Sequence, residues 1–88
     1  MSTDQQRLLA IVRMSLSDKV NRFERDSDLA AAKIGELNLD SLEKLQLVMD
    51  LEAELSVMAN ETEVAACQTV GDLVALMLRT AARSKRNG

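Results

Sequence analysis

Histidine, proline, tryptophan and tyrosine are all absent from the 88 residues. Cys67 is the only cysteine and Phe23 the only aromatic residue. Without histidine there is no imidazole acid–base chemistry, no Ser-His-Asp triad and no histidine zinc ligand. One cysteine permits neither an internal disulfide nor a cysteine metal cluster. No proline and only 3 glycines argue against a turn-rich β protein. Long hydrophobic runs are missing too. The longest early one, Leu8 to Val12, is too short for a signal segment or a membrane span. A cytoplasmic location is expected, and an unpaired thiol agrees with a reducing compartment. The usual catalytic residues are so depleted that the expected role is non-enzymatic.

What remains is aliphatic and charged. The length fits one domain with one modest core. Fourteen leucines, with Val, Ile, Met and Ala, must build that core. The net charge of −3 is unevenly placed. From Glu36 to Asp72 nine carboxylates face a single base, Lys44, for a local charge of −8. The other residues hold five acids and ten bases, for +5. An acidic stretch suits partners with basic docking patches, or is simply a solvated helical surface. Residues 79–88 carry Arg79, Arg83, Lys85 and Arg86 and no acid, and read as a basic, flexible tail.

Periodicity gives an all-α bundle of three longer helices and one short helix. The folded core is expected to span about residues 3–78. The first helix starts at Thr3, where Thr3 to Gln6 has capping-box form, and Leu8, Val12, Leu16 and Val20 follow at four-residue steps. Residues 21–39 form a long connection, with a turn or two of helix over Leu29 to Ile34. Leu29, Ile34, Leu37 and Leu39 would pin it to the core. Asp40 caps the second helix, with Glu43 closing the box. That helix is apolar over a wide arc: Leu42, Leu45, Leu47, Val48, Met49, Leu51 and Leu55. Asn60 caps a short third helix. Thr69 and Asp72 open the fourth, where Gly71 permits close packing.

The segment Glu36-Leu37-Asn38-Leu39-Asp40-Ser41-Leu42, followed directly by an amphipathic helix, resembles the acyl carrier protein family. The likeness continues through Leu47-Val48-Met49-Asp50-Leu51-Glu52 and reaches Thr69-Val70-Gly71. It implies that Ser41 carries 4′-phosphopantetheine, whose thiol holds acyl groups as thioesters. With no histidine to activate it, Ser41 must be modified by another enzyme. The implied partners are a phosphopantetheinyl transferase (holo-acyl-carrier-protein synthase), an acyl-loading ligase, and acyltransferases or synthases with basic docking patches. Neither nucleic acid nor membrane insertion is implied, and the chain is expected to be a monomer.

By the same resemblance Asp40 adds transferase recognition to its capping role. Leu42 touches partners or packs inward. Glu43, Asp50, Glu52 and Glu54 are docking candidates. A sheltered acyl chain would lie between the second and third helices. Leu45, Val48, Met49, Leu55, Met58, Ala59, Val64 and Cys67 are its candidate lining, with Leu73 and Met77 behind, although each is also a plausible core residue. Several positions depart from the family pattern. Asn38 replaces a usual glycine, Gln46 and Ala53 replace frequent acids, Ala59 and Cys67 replace larger residues, and Asn60 replaces a common proline. Together with the basic tail, these favour a specialised carrier over the one serving primary fatty acid synthesis. Two other readings remain open: a small regulatory or DNA-binding protein using the tail, and a degenerate carrier fold serving as an interaction subunit.

Overall fold

Leu8, Leu9, Val12 and Leu16 lie at three- and four-residue steps. In the computed structural model they form the buried face of helix α1, Thr3–Leu16. The structure describes residues 3–87, with side chains as far as Ser84. Thr3, expected as the cap, is instead the first helical residue, so the cap position falls outside the described residues. The helix tightens into a 3-10 turn at Ser17–Lys19 and ends at Val20, which is buried.

The connection that follows is more ordered than its composition suggests. Helix α2, Asp26–Ala31, begins three residues before the expected turn of helix at Leu29. Asp26 and Asp28 in its first turn complement the helix dipole. Arg13 of α1 holds its start, pairing with Asp26 (3.1 Å) and donating to the Phe23 carbonyl (2.6 Å). The chain then runs extended. Ile34 N–H donates to the Gln68 carbonyl (2.8 Å) and Val70 N–H to the Ala32 carbonyl (2.9 Å). These bonds flank a one-residue antiparallel bridge between Lys33 and Thr69. A second 3-10 turn, Ile34–Leu37, buries Ile34 and Leu37. Leu29 is fully buried and Leu39 packs on the core's edge, as the expected pins should.

Three more helices complete the bundle: α3 Ser41–Leu55, α4 Glu61–Ala66 and α5 Val70–Asn87. α1 packs on α3 and α5, and α2 on α5, while α4 rests lightly on α5. The architecture is the expected all-α bundle of three long helices, with two short ones rather than one. Thr69 and Asp72 cap α5 reciprocally. Asp72 N–H donates to the Thr69 hydroxyl (3.0 Å) and Thr69 N–H to the Asp72 carboxylate (3.1 Å). A Cβ on Gly71 would sit 2.9 Å from the Ala30 carbonyl oxygen, so α2 and α5 meet this closely only because Gly71 lacks one.

The expected core boundary near Leu78 falls inside α5, which continues through the basic residues to Asn87. Ala81, four residues after Met77, extends the buried stripe by another turn. Its small side chain gives a weak hydropathy signal, and the stripe therefore fades one turn early when read from sequence.

Candidate functional site

The start of α3 is built by local chemistry. Asn38 takes the left-handed conformation (φ 56°) that ends the second 3-10 turn. Asparagine tolerates this better than most residues, which explains how it can stand where the family usually has glycine. Asp40 then caps α3: its carboxylate accepts the Glu43 N–H (2.7 Å), and the Glu43 carboxylate accepts the Asp40 N–H (3.1 Å). Lys19, from the end of α1, locks both sides of this turn. Its ammonium donates to the Asn38 carbonyl (2.7 Å) and to Glu43 (3.0 Å). The Lys19 hydrogen bond, and then the Asp40 N–H, hold the Glu43 carboxyl below the usual carboxylate range. Ser41 is the first helical residue and is exposed. Asp40 performs the capping, so the Ser41 hydroxyl is left for other chemistry. Asp40 takes the Glu43 N–H, while the Ser41 and Leu42 N–H groups have no preceding carbonyl in the helix to pair with and favour an anion.

A groove of about 410 Å³ starts at Ser41 and runs between α3 and α4. Ser56 ends α3 in the left-handed region (φ 54°), turning the chain back along the helix. Glu52 fixes that return, accepting the Ala59 N–H (2.8 Å). Asn60 caps α4 by accepting the Glu63 N–H (3.1 Å). No residue of α4 is buried, so this wall of the groove is held by few apolar contacts.

Five of the eight expected lining residues meet there: Leu45, Val48, Met58, Ala59 and Val64. Three do not. Met49 lies half exposed on the outer side of α3, and Leu55 turns toward the core. Cys67 lines two neighbouring hollows, of about 590 and 300 Å³. Burial pushes its thiol pKa up, which opposes thiolate chemistry. Leu73 and Met77 belong to the closed core.

The acidic candidates are all internally engaged. Glu43 holds Lys19, Asp50 accepts from the Gln46 amide (2.8 Å), Glu52 holds Ala59, and Glu54 pairs with Arg7 of α1 (3.0 Å). Three of the apolar candidates on the same helix are open, while Val48 and Leu55 are half-buried. Leu42 is 75% exposed, Leu45 54% and Met49 50%, and across the groove Met58 is 86% exposed. Sequence reasoning missed Lys19 and Lys44. Lys19 lies 24 residues from Glu43 and left no local signal. Lys44 stands three residues after Ser41, a spacing visible from the start.

The site thus presents an exposed hydroxyl on a capped helix, at the mouth of a groove in a small α-bundle. Among the described residues no acidic or cysteine cluster could hold a metal ion, and no helix is long and apolar enough to cross a membrane. Residues 6–77 match the family model described as a phosphopantetheine attachment site. An acyl carrier protein of Thermotoga maritima is 31% identical over 70 residues, covering 80% of this chain and 86% of its own. An acyl carrier protein of Exiguobacterium sibiricum is 29% identical over 70 residues, covering 80% of this chain and 89% of its own. No solved structure gives a significant match. The chain belongs to the acyl carrier protein family, whose cofactor is covalently bound 4′-phosphopantetheine.

Proposed function

We propose that Ser41 is the attachment point of the phosphopantetheine arm, and that the chain presents acyl thioesters on it to fatty acid, lipid or polyketide-type enzymes. The observation that carries this reading is the position of an exposed, uncommitted hydroxyl at the mouth of the α3–α4 groove. The residues present fit such an arm, since first-turn amides favour its phosphate and the groove beyond is lined mainly by apolar side chains, together with Glu52 and Glu61. When bound, the arm supplies a terminal thiol that holds the acyl group.

The chain's own residues present and shelter. Asp40 and Glu43 hold the first turn rigid, so that a transferase meets Ser41 in one geometry. Leu45, Val48, Ala59 and Val64 exclude water from an inserted acyl chain. Leu42, Leu45 and Met49 give enzymes an apolar contact, framed by Glu43, Asp50 and Glu54 for their basic residues. Tethering raises the effective concentration of cargo at each enzyme. The chain acts as a monomer in the cytoplasm, alongside its coenzyme A-dependent transferase and loading ligase. Ala59 on the groove wall, where larger residues are usual in the family, supports a specialised carrier.

Incubation with coenzyme A and a phosphopantetheinyl transferase tests the reading by intact mass. Wild type should gain one arm and Ser41→Ala none. An arm on Ser41→Ala, or none on wild type, overturns it.

A further inference from the structure

Lys44 is the only base between Glu36 and Asp72, and it stands three residues after Ser41. Residues three apart on a helix are neighbours on one face. Helical side chains lean toward the N-terminus, so Lys44 lies over the turn that Ser41 opens. Lys44 is half-buried and lines the α3–α4 groove together with Ser41. It also borders the hollow on the far side, beside Asn38 and Cys67.

The other nearby cation, Lys19, is already committed to Glu43 and the Asn38 carbonyl. Among the described residues Lys44 makes none of the ion pairs, which join Arg7 to Asp4 and Glu54, Arg13 to Asp26, Lys19 to Glu43, and Arg83 to Glu63. The ammonium is therefore free beside the one position that gains negative charge on modification. Glu43, two residues after Ser41, projects from roughly the opposite side of α3, and its charge is already met by Lys19.

We propose that Lys44 pairs with the phosphodiester on Ser41 and turns the arm into the α3–α4 groove; this rests on the reading of Ser41 above. Lys44 acts as a positioning residue. It makes a charge-assisted contact to a phosphate oxygen at the mouth of the groove and leaves the thiol end free to enter it. The contact is partly exposed, so salt weakens it. The arm can then leave the groove when an enzyme competes for it.

Phosphorus NMR of the arm-bearing protein, with a paramagnetic label on the arm's thiol, tests this. In Lys44→Gln the phosphorus resonance should shift and narrow. Relaxation enhancement at the amides of Val48, Ala59 and Val64 should fall roughly two- to fivefold, the range of a partly exposed ion pair. Lys44→Arg should retain both signals, and added salt should move wild type toward the Gln variant. A matching amide spectrum of the unmodified Gln variant separates these effects from misfolding. If that variant is misfolded, the Arg variant and the salt titration still decide. Unchanged phosphorus and relaxation signals in a loaded Lys44→Gln protein overturn the role of Lys44 alone. Failure of wild type to accept an arm overturns the Ser41 reading, and this inference with it.

Discussion

The α1–α5 side of the bundle and the α3–α4 side are built on different terms. The first is closed: Leu8, Leu9, Val12, Val70 and Met77 are fully buried, and Gly71 brings α5 against the backbone of α2. The second is open. α4 buries no residue, and α3 buries only Leu47 and Leu51 while exposing Leu42, Leu45 and Met49. Stability is concentrated where nothing has to move. The exchangeable surface lies where a cargo or an enzyme can replace water. A helix can serve both sides at once, and α3 does so by turning one stripe inward and another outward.

Substitutions on the two stripes of α3 should separate most sharply. Leu51→Ala should cost about 2–5 kcal/mol in urea unfolding, because a fully buried leucine leaves a cavity. Leu45→Ala should stay within about 0.5 kcal/mol of wild type in the same assay. It should instead lower affinity for a loading or condensing enzyme, measured by calorimetry. Equal stability losses at both positions would erase the distinction between the two sides.

Gly71→Ala probes the closed side alone. Alanine favours the helix by up to about 1 kcal/mol, but its Cβ meets the Ala30 carbonyl oxygen. Overpacking of this kind costs about 1–3 kcal/mol, so a net loss should appear in thermal unfolding. A gain in stability would mean that α2 yields easily.

The caps should respond to acid. The carboxyls of Glu43 and Asp72 are both held below the usual carboxylate range, Glu43 chiefly by Lys19 and Asp72 chiefly by the Thr69 N–H. Both groups are more acidic folded than unfolded. Their contribution is complete above the unfolded carboxylate range and is lost as pH falls through the lowered values. Stability should therefore hold from neutrality to the ordinary carboxylate range and decline below it. Glu43→Gln should flatten part of that decline.

Salt should produce the mildest change. Affinity for an enzyme with a basic docking patch should fall as salt rises. The slope should be shallow, because Glu43, Asp50, Glu52 and Glu54 each already hold an internal partner. No slope at all would remove carboxylates from the docking account and leave the apolar stripe.

What could be read in advance follows the range of the interaction. The capping pairs Asp40 with Glu43, Asn60 with Glu63 and Thr69 with Asp72 close within four residues, so the chain order states them. Gly71 could be picked out because a glycine near a helix start needs a reason. The outward stripe of α3 could not. Leu42, Leu45 and Met49 are apolar like Leu47 and Leu51, and the position of α1 decides which of them is covered. Lys19 to Glu43, Arg7 to Glu54 and Arg13 to Asp26 join distant segments and depend on the finished fold. α2 began earlier than expected for the same reason, since Arg13 holds its first residue.

The most direct test of the central claim is the intact mass and peptide map of the protein purified from its own cells. The arm and any acyl cargo should map to the peptide containing Ser41 and to no other. Protein that is bare there, or that carries pantetheine on a different residue, would contradict the account.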